Sequence, residues 1–283
     1  MADAIKIEGL TKSFKNFTLG PIDLALPTGC VMGLIGENGA GKSTLISLLL
    51  GMKRPDAGRA LVLGEEAGSD NAPFRSKIGV VLDIPGFPSA MRASEIGKLL
   101  APGFPDWDGE LFRSLCAGFQ LPEKTNFGEY SRGMKMKLSI AAALAHHPEL
   151  LILDEPTGGL DPVARDEILD IFYNFIQSPD RSILISSHIL SDLEKICDYI
   201  AFLHEGRLLL QGEKDVLKET YGLMRGSRAE IAALPEEAVK GVRRTGTGDE
   251  ALVLRDYCPA AEPADLEELM VFMLRYAKGE NAR

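Results

Sequence analysis

The chain has 283 residues, of which 45% are hydrophobic and 25% charged, and its formal net charge is −10 at pH 7. This length allows one large α/β domain and a smaller piece, and the composition is typical of a soluble globular protein. The acidic balance argues against a nucleic-acid partner. No apolar run approaches the roughly 18 residues of a membrane span, and MADAIKIEGL lacks a signal-peptide pattern. We therefore expect another chain to supply any membrane part.

The four cysteines indicate the compartment. They are scattered along the chain, and no two of them form a CxxC pair: Cys30, Cys116, Cys197 and Cys258. A disulfide framework or a zinc site needs paired, closely spaced cysteines. We therefore expect reduced thiols in a cytoplasmic protein.

The N-terminal stretch predicts two strands. Residues 5–8 and 22–26 alternate apolar and polar side chains, which is the pattern of a half-buried strand. The second run ends at Pro27-Thr28-Gly29, a turn that leads into the next apolar segment. Two antiparallel strands at this place predict a small β subdomain beside the segment that follows.

That segment carries a phosphate-binding loop. The apolar run Val31–Ile35 predicts a buried strand, and GENGAGKST (36–44) then shows the GxxxxGK[ST] pattern ahead of a stretch with helical spacing. Glycines let such a loop wrap closely around phosphates, and the backbone N–H groups with the helix N-terminus favour negative charge. A plain βα turn would leave the Lys and Ser of the pattern without a purpose.

The loop predicts the ligands of a nucleotide. Lys42 is expected to reach the β- and γ-phosphates, and the Ser43 hydroxyl to bind Mg²⁺. Phe14, in TKSFKNF, either stacks on the nucleotide base or packs in the core, and its spacing leaves both readings open. The nucleotide-binding residues predicted in the loop are Gly36, Asn38, Gly39, Ala40, Gly41, Lys42, Ser43 and Thr44.

A helical insertion is predicted next. Strands are expected at 59–63 and 78–82, and proline and glycine then punctuate helical stretches at Ala93–Leu100 and 107–119. The segment from about 85 to 147 is therefore interpreted as a helical subdomain inserted in the α/β core, not a second full domain.

A serine and a glycine stand at the start of the next helical run, in YSRGM (130–134). Ser131 has the character of a helix N-cap, and Gly133 opens the backbone beside it. The pattern suits a contact with a γ-phosphate, but a helix cap without any ligand has the same sequence.

Two further strands end in chemically active side chains. The apolar run 150–153 leads into Asp154 and Glu155, and carboxylates at this end of a strand in an α/β sheet lie where ligands bind. In P-loop NTPases an Asp here holds Mg²⁺, and Glu155 is placed to polarise the attacking water. The strand predicted at 182–185 ends in Ser-Ser-His, which gives His188 a predicted role at the γ-phosphate.

In combination these motifs resemble the nucleotide-binding subunits of ABC transporters. The loop 36–44 resembles the Walker A loop, LILDEP (151–156) Walker B, YSRGM the signature LSGGQ, and GGLD (158–161) the D-loop. His188 resembles the switch histidine and Phe14 the adenine-stacking aromatic. PDWD (105–108) and the C-terminal extension are similar to bacterial exporters of antimicrobial peptides and drugs.

The resemblance implies the fold and the domains. It covers about residues 1–222 and implies an α/β P-loop NTPase core with a mostly parallel sheet, an N-terminal antiparallel β subdomain and the inserted helical subdomain. Residues 223–283 form a small C-terminal α/β extension, with short strands predicted at 242–244 and 251–254 and an amphipathic helix at 263–278. The extension is interpreted as a packing module that aids dimerisation in preference to a ligand sensor.

The resemblance also implies a mechanism. ATP and Mg²⁺ bind between two ATPase subunits arranged head to tail, identical or different, and Ser131 and Gly133 of one close over the γ-phosphate held by the other. Asp161, in the D-loop, belongs to the same implied site. Hydrolysis drives a separate multi-span membrane subunit from the cytoplasmic face of the membrane, for export of a peptide, a drug or a similar compound.

The chain departs from the family pattern at two places. Arg132 and Met134 replace the Gly and Gln of the signature, and Asp83 stands where the family has the Q-loop glutamine. Asp83 either approaches Mg²⁺, directly or through water, or points away to cap the insertion or to meet a basic residue of the membrane subunit. The sequence leaves these alternatives open.

Two other functions are weighed against transport. A soluble ABC ATPase that acts on ribosomes or DNA would normally carry a second cassette, a long coiled coil or a basic surface, and the sequence shows none of these. A P-loop kinase needs an acceptor-substrate site and would not explain Ser131 or His188.

Overall fold

Strands and helices alternate along most of the chain in the computed structural model, which describes residues 2–246 and 248–275. The strands are β1 (Asp3–Phe14), β2 (Phe17–Pro27), β3 (Val31–Ile35), β4 (Ala57–Val62), β5 (Glu65–Glu66), β6 (Ile78–Val81), β7 (Leu150–Asp154), β8 (Ser182–Ser187), β9 (Tyr199–His204), β10 (Arg207–Glu213), β11 (Tyr221–Gly226), β12 (Val239–Arg244), β13 (Asp249–Leu254) and β14 (Glu262–Pro263). The helices are α1 (Lys42–Leu49), α2 (Ala72–Arg75), α3 (Ala93–Leu100), α4 (Gly109–Gly118), α5 (Arg132–Leu144), α6 (Pro162–Phe175), α7 (Leu190–Ile196), α8 (Lys214–Thr220), α9 (Arg228–Ala232) and α10 (Leu266–Arg275). Short 3₁₀ turns lie at Ala101–Gly103, Phe127–Glu129 and Glu236–Ala238.

A six-stranded sheet forms the centre of the molecule, in the order β10-β9-β3-β8-β7-β6. Its neighbouring strands run parallel, except that β10 is antiparallel to β9. Alternate side chains of β3 enter two separate hydrophobic clusters, with Val31 and Ile35 on one face and Met32 and Leu34 on the other. The strand is therefore buried on both faces, as the continuous apolar run in the sequence predicts. The mostly parallel α/β core is confirmed.

The strand order brings distant parts of the sequence to one edge of this sheet. Four strands that are neighbours in the sheet, β3, β8, β7 and β6, run parallel, so their carboxyl ends lie side by side. The loop 36–44 follows β3, His188 follows β8, and Asp83 lies just beyond β6. The register pairs Asp154, at the end of β7, with Ser186 of β8. The predicted functional residues are thus gathered by topology.

A second sheet is built from the N-terminal strands, in the order β2-β1-β4-β5. Its pairs are antiparallel, which confirms the predicted β subdomain. Apolar side chains of this sheet, among them Ile5 and Leu24, share a buried cluster with Leu45 of α1. The subdomain therefore packs beside the helix that follows the phosphate loop.

Helices α3, α4 and α5 lie within the segment 85–147, and α5 packs against β6. The sequence places the start of the second of these helices at Trp107, whereas α4 begins at Gly109. The reason is an N-cap, because the Asp108 carboxylate accepts hydrogen bonds from the N–H groups of Glu110 and Leu111 at 2.9 and 2.8 Å.

The C-terminal extension forms a third sheet, β12-β13-β11-β14, with α10 packed against β12. The strands predicted at 242–244 and 251–254 are confirmed within β12 and β13. Of the helix predicted at 263–278, α10 covers Leu266–Arg275, and residues 276–278 lie outside the described residues. Leu269 and Phe272 of α10 belong to the same hydrophobic cluster as Leu193 of α7. The extension and the central domain therefore share one core.

Across the described ranges, no helix combines the length and the apolarity that crossing a membrane requires.

The shared core can be tested at Phe272, whose side chain is 1% exposed. Phe272→Ala should lower the free energy of unfolding by about 3–5 kcal/mol, because it removes a fully buried ring and leaves a cavity. Urea denaturation measures the change. Tyr257→Ala is the control, since that ring, in the same extension, is 48% exposed and should cost about 1 kcal/mol or less. A separate transition in which the extension unfolds alone would contradict the shared core.

Candidate functional site

The loop 36–44 closes around the ammonium group of Lys42. This side chain is 6% exposed, and its Nζ donates hydrogen bonds to the carbonyl oxygens of Gly36 at 2.6 Å and Glu37 at 3.4 Å. Gly41 has a φ of 113°, and a Cβ there would lie 2.9 Å from a methyl group of Leu19. Glycine is therefore required at this position. Ala40 is buried, and its carbonyl accepts the N–H of Gly206 at 3.0 Å, which ties the loop to the turn after β9.

The Glu155 carboxylate lies between Lys42 and His188. Its Oε1 is 3.5 Å from Nζ of Lys42, and its Oε2 is 2.6 Å from Nδ1 of His188. Oε1 is buried and has no hydrogen-bond partner among the described residues. The φ of Glu155 is 52°, a conformation that costs a non-glycine residue about 1–3 kcal/mol and that occurs often at functional sites. The structure thus brings three predicted catalytic residues into one network.

Asp154 and Glu155 are oriented by one serine of the neighbouring strand. The hydroxyl group of Ser186 donates to Oδ1 of Asp154 at 2.5 Å and accepts the N–H of Glu155 at 3.1 Å. Asp154 is 5% exposed, and a buried carboxylate needs such partners. Sequence analysis does not single out Ser186, because only the pairing of β7 with β8 places it opposite Asp154.

A cavity of about 250 Å³ opens at this edge of the sheet, between the phosphate loop, β6 and β7. Phe17 lines it and Phe14 does not; the Phe14 ring is 42% exposed, with its centroid 6.3 Å from that of Phe17. Sequence analysis does not single out Phe17, which lies three residues farther along TKSFKNF. The full lining is Phe17, Glu37, Asn38, Gly39, Gly41, Lys42, Ser43, Thr44, Asp83 and Glu155.

Asp83 reaches this cavity with its charge already paired. The Nη2 of Arg132 donates to Oδ1 of Asp83 at 2.5 Å, and both side chains are about half exposed. The sequence leaves open a metal ion or a basic residue of another subunit as the partner of Asp83. In the structure, a basic residue of the same chain contacts it.

Ser131, Gly133 and Asp161 do not line the cavity of their own chain. The Ser131 hydroxyl caps α5 by accepting the N–H of Met134 at 3.3 Å. Asp161 caps α6, and the N–H groups of Ala164 and Val163 hold the pKa of its carboxyl below the ordinary value. These residues therefore have a structural role in one chain, and a ligand role would need a second chain.

A larger cavity, of about 570 Å³, lies between α2, β6 and the helical insertion. Its lining includes Phe87, Leu100, Phe104 and His146 but no acidic side chain. Burial lowers the pKa of His146, whose Nδ1 lies 2.8 Å from the carbonyl oxygen of Ser76. The charged side chain in its lining is Arg75, and no carboxylate is present to hold a cation or to activate water.

Comparison with known proteins agrees with this geometry. Residues 19–158 match the family model described as ABC transporter. The bacitracin transport ATP-binding protein BcrA of Bacillus licheniformis is 35% identical over 224 residues, which cover 77% of this chain and 72% of that protein. The Nod factor export ATP-binding protein I of Rhizobium sp. (strain N33) is 34% identical over 92% of this chain and 87% of its own length. The lantibiotic transport ATP-binding protein SrtF of Streptococcus pyogenes is 36% identical over 75% of this chain and 91% of its own length.

Solved structures show the same fold. An ATP-binding subunit of an ABC transporter superposes with a TM-score of 0.69 at 28% identity, covering 76% of this chain and 92% of that one. A subunit of the cbiONQ transporter complex of Clostridium perfringens gives a TM-score of 0.63 at 28% identity, covering 76% and 91%. The site geometry, the family model and these relatives agree: the chain belongs to the ATP-binding subunits of ABC transporters, and it binds and hydrolyses ATP.

Proposed function

We propose that this chain hydrolyses Mg²⁺-bound ATP at a head-to-tail dimer interface and so drives a separate multi-span membrane subunit that exports a peptide, a drug or a similar compound. The observation that carries the proposal is the contact of Glu155 with both Lys42 and His188 at the mouth of the phosphate loop. The cargo class rests on relatives named for transport of bacitracin and lantibiotics and for export of Nod factor.

The phosphates are held by the loop 36–44. Its backbone N–H groups and the N-terminus of α1 attract the β- and γ-phosphates, and Lys42 exchanges the Gly36 carbonyl for phosphate oxygens. Phe17, in the cavity lining, and Phe14, on the exposed end of the same hairpin, are the two aromatic rings that can stack on the adenine base.

The donor set at this edge fits Mg²⁺. Ser43 and Asp154 supply hydroxyl and carboxylate oxygens, which a hard divalent cation prefers. The described residues hold no group of three or more His, Cys, Asp and Glu side chains that could bind a metal unaided. This agrees with Mg²⁺, which is usually bound by one or two protein oxygens together with substrate phosphates. When bound, Mg²⁺ neutralises charge that develops on the phosphate oxygens.

Glu155 orients the attacking water. Its Oε1 has no hydrogen-bond partner among the described residues, so it is available to accept a hydrogen bond from water. Oε2 is held by His188, which fixes the rotamer, and Lys42 offsets the buried negative charge from 3.5 Å. As the water attacks the γ-phosphorus atom, Oε1 receives its proton, and the bond to the leaving oxygen of ADP breaks.

A second ATPase subunit, identical or different, completes the site. Ser131 and Gly133 stand at the start of the 13-residue helix α5, where N–H groups and the helix dipole favour an anion. They do not line their own cavity, so they are free to close over the γ-phosphate of a partner. Asp161, at the start of α6, is proposed to lie at the same interface.

The ATPase domain is proposed to span residues 1–222 and the extension 223–283. This boundary falls inside β11 (Tyr221–Gly226), so the sheet of the extension includes the last two residues of the ATPase domain. Because the extension shares its core with α7, it acts as a packing module that stabilises the ATPase domain and its dimer.

The membrane subunit docks at the cytoplasmic face, on the surface that follows β6. Ile84, the residue after Asp83, is 81% exposed, and a cavity whose lining includes Phe87, Leu100 and Phe104 adjoins this segment. Arg75 and His146 also line this cavity. A surface that combines exposed apolar side chains with a few polar ones suits an amphipathic helix of a partner protein.

Glu155→Gln tests the catalytic assignment. The variant should hydrolyse ATP at least roughly 10²-fold more slowly, because the amide cannot take the proton of the water. It should still bind ATP, and ATP should hold it as a dimer in size-exclusion chromatography. Lys42→Ala is the comparison, since it should remain folded by circular dichroism and lose affinity for a fluorescent ATP analogue. Near-normal turnover of Glu155→Gln would contradict the role of this carboxylate.

Ile84→Asp tests the membrane partner. The chain should co-purify from detergent-solubilised membranes with a multi-span protein, and this change should weaken the association at least about 10-fold, because it places a charge in the apolar contact. The control is Leu209→Asp, an equally drastic change at a residue that is 41% exposed on the edge strand β10. Purification without any membrane protein, or equal losses in both variants, would contradict the proposed docking surface.

A further inference from the structure

The two places where this chain departs from the family pattern are in contact with each other. Arg132 stands at a glycine position of the signature, and Asp83 stands at the Q-loop glutamine position, 49 residues earlier. Their side chains meet through the hydrogen bond from Nη2 to Oδ1 at 2.5 Å. One ion pair therefore links the departures at Arg132 and Asp83, and it leaves the replacement at Met134 unexplained.

Arg132 also lies along the turn that follows Glu155. Its Cδ, Nε and Nη1 atoms come within 3.4–3.5 Å of the place where a Cβ would stand on Gly159, and Nη2 lies 3.5 Å from that place on Gly158. The N–H of Gly158 donates to the carbonyl oxygen of Glu155 at 3.1 Å, which closes the turn. Arg132 thus pairs with Asp83 at the edge of the cavity and lies beside the turn that follows Glu155.

The pair contributes little to folding stability. Arg132 and Asp83 are 56% and 43% exposed, and exposed ion pairs contribute little to folding. Asp83 and Glu155 line the same cavity, so an unpaired Asp83 would add repulsive charge where phosphates bind. The guanidinium group removes this charge and, because it is planar and forked, it can contact Asp83 and the turn together.

We propose that Arg132 is a positioning residue for ATP hydrolysis, which neutralises Asp83 at the cavity edge and holds the turn after Glu155. The start of α5, the segment after β6 and Glu155 then move as one unit when the site closes. Asp83 is the partner of Arg132 and not a ligand of Mg²⁺. This inference rests on the proposed function, in which Glu155 orients the attacking water.

A double-mutant cycle tests the pair. Asp83→Asn and Arg132→Gln should each lower kcat about 10-fold, and the double variant should lose about the same 10-fold, because contacting residues that act together are not additive. KM for ATP should rise in Arg132→Gln, which leaves Asp83 unpaired beside the phosphates, and should change less than about 2-fold in Asp83→Asn and in the double variant. The Mg²⁺ concentration for half-maximal rate should change less than about 2-fold in all three. Arg132→Lys keeps the positive charge but lacks the planar, forked guanidinium group. It should therefore restore only part of the kcat that Arg132→Gln loses.

The control is a second exposed pair on α4, where Arg113 lies 3.6 Å from Glu110. Arg113→Gln and Glu110→Gln should leave kcat within about 2-fold of the parent, and circular dichroism verifies that all variants are folded. A loss of about 100-fold in the double variant would mean that Arg132 and Asp83 act independently, and would overturn the inference. A raised Mg²⁺ requirement in Asp83→Asn would assign Asp83 to the metal. Glu155→Gln, assayed in parallel, reports separately on the proposed function, since its normal turnover would refute that function and not the pair.

Discussion

Parallel strands present their carboxyl ends at one edge of a sheet, and the candidate site of this protein depends on that constraint. The order β3-β8-β7-β6 places four chain segments beside each other there, although more than 150 residues separate the first from the last (Gly36 from His188, at 188 − 36 = 152). Each strand is buried by helices or by the N-terminal sheet, so the edge is fixed by the core. The loops then need to supply only local geometry, such as the left-handed conformation of Glu155.

The charges at this edge are balanced in pairs. Lys42 and His188 contact Glu155, and Arg132 contacts Asp83. An acidic cluster that must receive an anionic substrate would otherwise repel it, since charges interact strongly near a partly buried site. The two cations, Lys42 and Arg132, therefore both stabilise the carboxylates and prepare the cavity for phosphate. Lys42 can exchange the carbonyl oxygens of Gly36 and Glu37 for phosphate oxygens when the substrate binds.

The sequence predicts the parts of this edge that are encoded locally. A phosphate loop is a short pattern between a strand and a helix, so the fold class and a set of candidate loop residues can be predicted without a structure. Six of the eight predicted loop residues line the cavity, and Gly36 and Ala40 do not. Ser186 and Phe17 could not be found in this way, because strand pairing and the hairpin place them. The sequence also could not identify Arg132 as the partner of Asp83, because the two residues are 49 positions apart and no local pattern links them. Likewise, the apolar pattern of α10 predicts a helix, but it cannot show that Phe272 of this helix belongs to the same hydrophobic cluster as Leu193 of α7.

The central proposal is that Lys42 and the loop 36–44 hold ATP beside Glu155, while Ser131 and Gly133 of a second ATPase subunit, which can be a second copy of this chain, close over it. The most direct measurement is a crystal structure of the Glu155→Gln variant with ATP and Mg²⁺. We expect two nucleotides between two chains, each with its γ-phosphate between Lys42 of one chain and Ser131 of the other. ATP held by a single chain, with Ser131 facing solvent in a dimer of another arrangement, would contradict the account.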